Sequence, residues 1–150
     1  MESNMFCYQC QETAKGTGCI LKGVCGKESH TAQAMDLLLF VVRGISVVAD
    51  TLRKADCPVS EEVNVFVTDA LFCTITNANF DDESILKRVD KGIIMRNGLI
   101  QEAEHNKVFL PKVDELTWQG TRDDYAEKAK TVGVLRERSE ERRVGKECRS

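Results

Sequence analysis

Residues 29–58 read SHTAQAMDLLLFVVRGISVVADTLRKADCP, and the spacing of their apolar side chains decides the fold. Ala32, Met35, Leu39, Val42, Ile45, Ala49 and Leu52 recur at intervals of three and four. That is the period that gathers side chains on one face of an α-helix. Val41 and Val48 widen the stripe, as expected of a helix surrounded by others. Ser29 or Thr31 stands where a hydroxyl can cap its first turn. Asp56-Cys57-Pro58 ends it, because the residue before a proline disfavours helical backbone. The segment predicts the central helix of a bundle.

Further helices are predicted downstream. Ser60 is a good N-cap, and Glu61 and Glu62 follow where the helix dipole favours acid. Val63, Val67, Ala70, Leu71 and Thr74 then share a face, giving a helix to about Ala78. The run Val63–Val67 also alternates like a strand, but the apolar pattern outlasts a typical strand. Asp81 and Asp82 open a third helix with Ile85, Val89, Ile93, Arg96 and Ile100 on its stripe and an end near His105. Gly92 and Gly98 weaken it, by roughly 1 kcal/mol each relative to alanine in an exposed interior. Val108 to Gly120 is a connector holding the only Trp. A fourth helix is expected from Thr121 past Ala129, with Asp123 and Asp124 in its first turn.

A chain of 150 residues with 42% hydrophobic and 30% charged residues is of a size and balance to build one soluble globular domain. Its net charge of −3 gives no electrostatic case for nucleic acid. The start, MESNMF, lacks the basic and apolar regions of a secretion signal. The most apolar run, Leu37–Val42, is far shorter than the roughly twenty residues of a membrane span. A cytoplasmic setting is expected, where clustered cysteines more often bind metal than form disulfides. Seven cysteines is also an odd number, which a closed disulfide framework would not leave.

N-terminal to the long helix, Cys7, Cys10, Cys19 and Cys25 stand in the pattern C-x2-C-x8-C-x5-C among four glycines. Residues 1–28 show little apolar periodicity and read as a loop wrapped around a metal centre that supplies much of their order. Structural zinc usually takes two short knuckles separated by a longer spacer. Only the first pair fits that form. Iron–sulfur clusters tolerate wider, uneven spacing, and the pattern leans toward them without separating [4Fe–4S] from [2Fe–2S]. An all-cysteine cluster moves electrons, and N–H donors to sulfur, which the glycines could supply, would tune it. Cys73 reads as a core residue and His30 as a surface or cap residue. Glu12, Asp36, Glu102 and Glu104 show no convergent spacing for acid–base work. No phosphate-binding glycine loop and no nucleophile–base pair is visible.

The flanks add specificity. MFCYQCQETAKGTGC followed by GVCGK resembles the opening of the hybrid cluster proteins, also called prismane proteins or hydroxylamine reductases. The carbon monoxide dehydrogenases, related at the level of fold, fit these flanks less well. The resemblance runs to about Val134-Leu135. It implies a mainly α fold, a cysteine-rich Fe–S loop (1–28) followed by a helical bundle (29–135). It also implies that Cys7, Cys10, Cys19 and Cys25 hold an electron-transfer [4Fe–4S] cluster, or [2Fe–2S] as in members with different spacing. The full-length family adds two α/β domains with a hybrid [4Fe-2O-2S] cluster, where hydroxylamine is reduced to ammonia and water; nitric oxide reduction has also been attributed to it. An electron donor protein is the implied partner, with neither nucleic acid nor membrane. The hybrid-cluster ligands, a His, Glu residues and further cysteines, belong to those later domains. His30, His105, Cys57 and Cys73 do not match them, so no catalytic residue is assigned.

Residues 136–150 differ from the rest: Val144 and Cys148 are their only apolar residues. RSEERRVGKECRS looks like a translated sequencing adapter, and the segment is expected to be foreign or disordered. The expected whole is an N-terminal fragment of a hydroxylamine reductase, inactive alone. Two rivals use the same cysteines differently: a zinc-stabilised interaction module, and a stand-alone ferredoxin-like electron carrier.

Overall fold

The long helix forms as predicted. In the computed structural model, which describes residues 5–75 and 81–133, α1 (Ser29–Lys54) runs through the centre of a helical bundle. Around it lie α2 (Glu61–Ile75), α3 (Asp82–His105), a single short turn α4 (Asp114–Thr117) and α5 (Tyr125–Val132). α1 packs most extensively on α3, then on α5, α2 and α4. Leu37, Leu38, Val41, Ile45 and Val48 are fully buried. Leu38 rather than Leu39 thus faces the core at that turn, and Leu39 is half-buried. By length and composition α1 could cross a membrane, yet most of its apolar window is covered by the bundle.

The ends of α1 differ from expectation. Glu28, in extended conformation, is the N-cap and makes no side-chain cap bond. Thr31 instead donates its hydroxyl to Asp82 Oδ1 at 2.6 Å, tying α1 to the start of α3. At the C-terminus Asp56 takes a left-handed φ of 58°. Asp56 N–H donates to Arg53 O (3.1 Å) and Cys57 N–H to Leu52 O (2.9 Å), the paired bonds of a Schellman motif. Pro58 follows the stop rather than making it. α3 ends in the same way, with Lys107 at φ 56° and Val108 N–H donating to Ala103 O at 2.8 Å.

Ser60 caps α2, its Oγ accepting from Glu62 N–H at 3.3 Å. The buried face is Val63, Phe66, Ala70, Cys73 and Thr74. Val67 is half-buried, and Leu71 is 43% exposed. The bulkier Phe66 turns the helix away from the predicted stripe. The predicted continuation to Ala78 lies outside the described residues. Asp81 caps α3 by accepting from Glu83 N–H at 3.1 Å. The fourth predicted helix begins at Tyr125 rather than Thr121. Thr121–Asp124 is a turn closed by Asp124 N–H to Thr121 O at 2.9 Å, and Arg122 reaches Glu83 and Asp90 of α3. The charged segment 136–150 lies outside the described residues.

The two α3 glycines have opposite roles. A Cβ on Gly92 would sit 2.7 Å from Val41 Cγ1 and 3.1 Å from Phe66 Cζ, whereas one on Gly98 would meet nothing within 4 Å. Gly92 is what lets α3 lie close against α1 and α2. Gly92→Ala is expected to destabilise the fold by about 1–3 kcal/mol through overpacking. Gly98→Ala, on the exposed face, is expected to stabilise it by roughly 1 kcal/mol. Urea unfolding of the two variants checks this, and shifts of the same sign would refute it.

Candidate metal centre

The four N-terminal cysteines surround one cavity, whose wall also includes Gln9, Thr13, Gly23 and Lys27. The backbone brings the first and third together. Cys7 and Cys19 form an isolated antiparallel bridge, exchanging N–H···O bonds of 2.9 Å in both directions. Directly opposed residues of such a pair carry their side chains on the same face. A small core of Met5, Cys19 and Ala32, with Cys7 and Ala14 against it, seats the loop on the first turns of α1. Gly18, at φ 119°, is required there: a Cβ would lie 2.2 Å from Phe6 Cε2. Phe6 in turn stacks on Tyr8, whose hydroxyl donates to Gly16 O at 3.1 Å.

Exposure grades around the cavity. Cys19 is buried, Cys7 and Cys10 are intermediate and Cys25 is exposed at the rim. A Cβ on Gly23 would meet Cys25 Sγ at 3.1 Å and Lys27 Cβ at 3.0 Å, so only glycine leaves this wall open. Ala14 N–H donates to Cys19 Sγ at 3.4 Å, and the Thr13 hydroxyl lies 3.5 Å from the same sulfur. Burial pushes the Cys19 thiol up, but the hydrogen bonds from Ala14, Thr13 and Val24, with the Lys27 charge, outweigh it and hold Cys19 below the ordinary thiol value. For Cys7 burial prevails: its thiol is pushed up, against the opposing Lys27 charge and the Gln9 N–H. The donors to the Cys7 and Cys19 sulfurs are Gln9, Ala14, Val24, Thr13 and Lys27. The N–H groups of Gly16, Gly23 and Gly26 close turns on Thr13, Lys27 and Gly23 carbonyls instead.

Lys27 lines the same cavity and was not singled out in the sequence. It is 2% exposed, and its Nζ donates to Cys7 Sγ at 3.7 Å and to Thr74 O at 3.4 Å. The sequence signal available for it is GVCGK, in which the lysine follows Cys25 by two residues. Nearby, half-buried Asp36 is pushed up to about 7 by burial, opposed by Lys27 and Arg43.

The remaining candidates fall elsewhere. Cys73 is buried in the main core, where burial pushes its thiol up. Cys57 packs at the end of α1, its thiol 3.6 Å from Ala55 O. His30 is an exposed clamp between Glu28 at 2.7 Å and Asp82. Hydrogen bonds donated to Asp82, then to Glu28, raise its pKa. This stabilisation is complete below the unfolded-state value of about 6.5 and is lost as pH rises through the higher folded-state value. Exposure limits it to under about 1 kcal/mol. Wild type minus His30→Gln stability is expected to fall from pH 5 to pH 8, as followed by urea unfolding. A difference constant over that range would refute it.

The donor set, four thiols lining one cavity, suits a soft metal centre. Among the described residues, no three His, Cys, Asp or Glu side chains converge on a single-ion site. Tetrahedral zinc at Zn–S of about 2.3 Å needs all four sulfurs within about 4 Å of one another. A multi-iron cluster seats its ligands further apart and accepts N–H···S bonds of the kind seen at Cys19.

The comparisons agree with this chemistry. The Prismane/CO dehydrogenase family matches residues 5–147, a range that passes Leu135 into the charged segment. A hydroxylamine reductase of Bacteroides thetaiotaomicron is 53% identical over 145 residues, 96% of this chain and 26% of the relative. One from Porphyromonas gingivalis is 45% identical over 148 residues, 98% of this chain and 27% of the relative. One from Nitratidesulfovibrio vulgaris is 42% identical over 144 residues, 91% and 26% respectively. The chain thus spans about a quarter of the length of the curated relatives it matches. With a matching helical bundle and an N-terminal cysteine loop, the chain belongs to the Prismane/CO dehydrogenase family.

Proposed function

We propose that this chain carries an electron-transfer [4Fe–4S] cluster on Cys7, Cys10, Cys19 and Cys25 and serves hydroxylamine reduction. The observation that carries the reading is the common cavity of the four cysteines, with N–H, hydroxyl and ammonium donors on its inner sulfurs. When bound, the cluster would take up and release one electron. The chain's own residues do the rest. The Cys7–Cys19 bridge fixes two ligands, Gln9, Ala14 and Val24 donate to sulfur, and the small loop core excludes water from Cys19. Cys25, at the exposed rim, marks the side on which an electron donor protein would approach.

In the hydroxylamine reductases to which the chain is similar, two electrons and two protons would cleave the N–O bond, giving ammonia and water. We place that step at a hybrid cluster in the parts of those relatives that this chain does not span. Thiolate ligation requires reduced sulfurs, so we assign the chain to the cytoplasm. Solvent-exposed Val65 (62%) and Phe72 (64%) on α2 support a chain that packs against further protein over a self-contained carrier.

Anaerobic reconstitution tests the reading. About four irons and matching sulfide per chain are expected, with no hydroxylamine turnover by this chain alone. Stoichiometric zinc without iron or sulfide would overturn the cluster. Turnover by the isolated chain would overturn the division of labour.

A further inference from the structure

Among the described residues the buried ammonium of Lys27 makes no ion pair with a carboxylate; it donates to a sulfur and a neutral carbonyl, Cys7 Sγ and Thr74 O. Asp36 is the nearby carboxyl, but its own burial holds it at about 7, so at neutral pH it is only partly ionised. A cation buried without a partner is costly. An anionic centre on the cysteines beside it would supply what is missing. The surrounding backbone is shaped to keep the lysine there. Gly23 N–H donates to Lys27 O at 2.7 Å, and the absent Gly23 Cβ leaves room for the Lys27 stem. Thr74 lies near the end of α2 and is 1% exposed. One side chain therefore joins the cysteine loop to the far end of a core helix.

Resting on the iron–sulfur reading above, we propose that Lys27 is a positioning residue that raises the reduction potential of the centre and clasps the cysteine loop to α2. Reduction forms and breaks no bond here. One electron from the reductant makes the centre one unit more negative, and a fixed positive charge next to Cys7 stabilises that form more than the oxidised one. Burial strengthens the effect, because little water intervenes to screen it.

The test uses the full 150-residue chain, reconstituted anaerobically as wild type, Lys27→Met and Lys27→Arg. Each is titrated with dithionite while the cluster is followed by absorbance and electron paramagnetic resonance. At the wild-type midpoint, Lys27→Met is expected to show at least a tenfold lower reduced-to-oxidised ratio, about 59 mV for one electron. Lys27→Arg, which keeps the charge, is expected to stay within threefold. A Lys27→Met protein that loads iron and titrates within threefold of wild type would overturn the proposal. If Lys27→Met keeps its helical circular dichroism but fails to load, loading restored in Lys27→Arg would support the clasp. Loss of loading in both would show that shape rather than charge matters, and would overturn it. Failure of the wild type to bind iron and sulfide would instead remove the cluster reading itself, and this proposal with it.

Discussion

Cys19→Ser is expected to bring bound iron from about four per chain to background, while leaving the helical circular dichroism of the bundle intact. Cys19 is 4% exposed, is bridged to Cys7, and has its sulfur pre-paired with the Ala14 N–H and Thr13 hydroxyl. A serine oxygen is a hard, protonated ligand at this position and a poor substitute for a thiolate. Cys25 differs. It stands exposed at the rim, where an added thiol can reach the vacant position, so Cys25→Ser is expected to lose iron only in part and to recover it with exogenous thiol. Cys57→Ser and Cys73→Ser should load as wild type, because both lie in or against the main core. The loop has its own small core, which is why losing the ligand should not melt the bundle. Iron and sulfide assays with circular dichroism decide this, and normal loading of Cys19→Ser would refute the ligand assignment.

The contrast between Cys19 and Lys27 shows which parts of the site were legible in the sequence. The four candidate ligands were named from residue type and spacing, both visible along the chain, and the fold brings them to one cavity. The tuning shell depends on which backbone N–H groups fold toward a sulfur, and any non-proline residue can supply one. Gln9, Ala14 and Val24 are thus unmarked in the sequence. Lys27 gains its meaning from Thr74, 47 positions away, a distance over which no local pattern reports. The fold shows the same division. The periodicity of residues 29–52 located α1 because a long helix buries a regular stripe. It put Leu39 on the buried face where the structure buries Leu38, since both lie close to the stripe and the neighbours set the rotation. The stop of α1 was read from the visible proline at 58, whereas the chain turns at left-handed Asp56; α3 ends on left-handed Lys107, a residue type rarely found in that conformation. Gly92 was read as a weakness because its role depends on Val41 and Phe66, which reach it from other helices.

Arg96 is buried on the α3 stripe where the sequence pattern puts it, and its removal is expected to cost the most stability. On the α3 stripe it occupies an apolar position, and it is fully buried there. Its guanidinium donates to Glu115 O at 3.1 Å, to Trp118 O at 2.7 Å and to the side chain of Asn97. It thereby holds the connector that carries α4. Gly44 of α1 makes room for this: a Cβ there would lie 2.5 Å from Glu115 O and 3.2 Å from Arg96 Cδ. The connector in turn places Trp118 against Phe40 (6.0 Å between ring centres) and Tyr125 (6.1 Å). One side chain therefore couples α1, α3 and α5 through a segment with little helix of its own. Arg96→Ala would open a cavity and strip two carbonyls of a charged donor. Together these are expected to cost about 3–5 kcal/mol, or a fall of roughly 10 °C in Tm for a chain of this size. Arg96→Met retains most of the volume and separates the two effects, so it should cost about half as much. Trp118 fluorescence and thermal melts read the outcome. A loss under about 1 kcal/mol in Arg96→Ala, the range of ordinary surface changes, would mean that the connector is held by the aromatic contacts and not by the buried arginine.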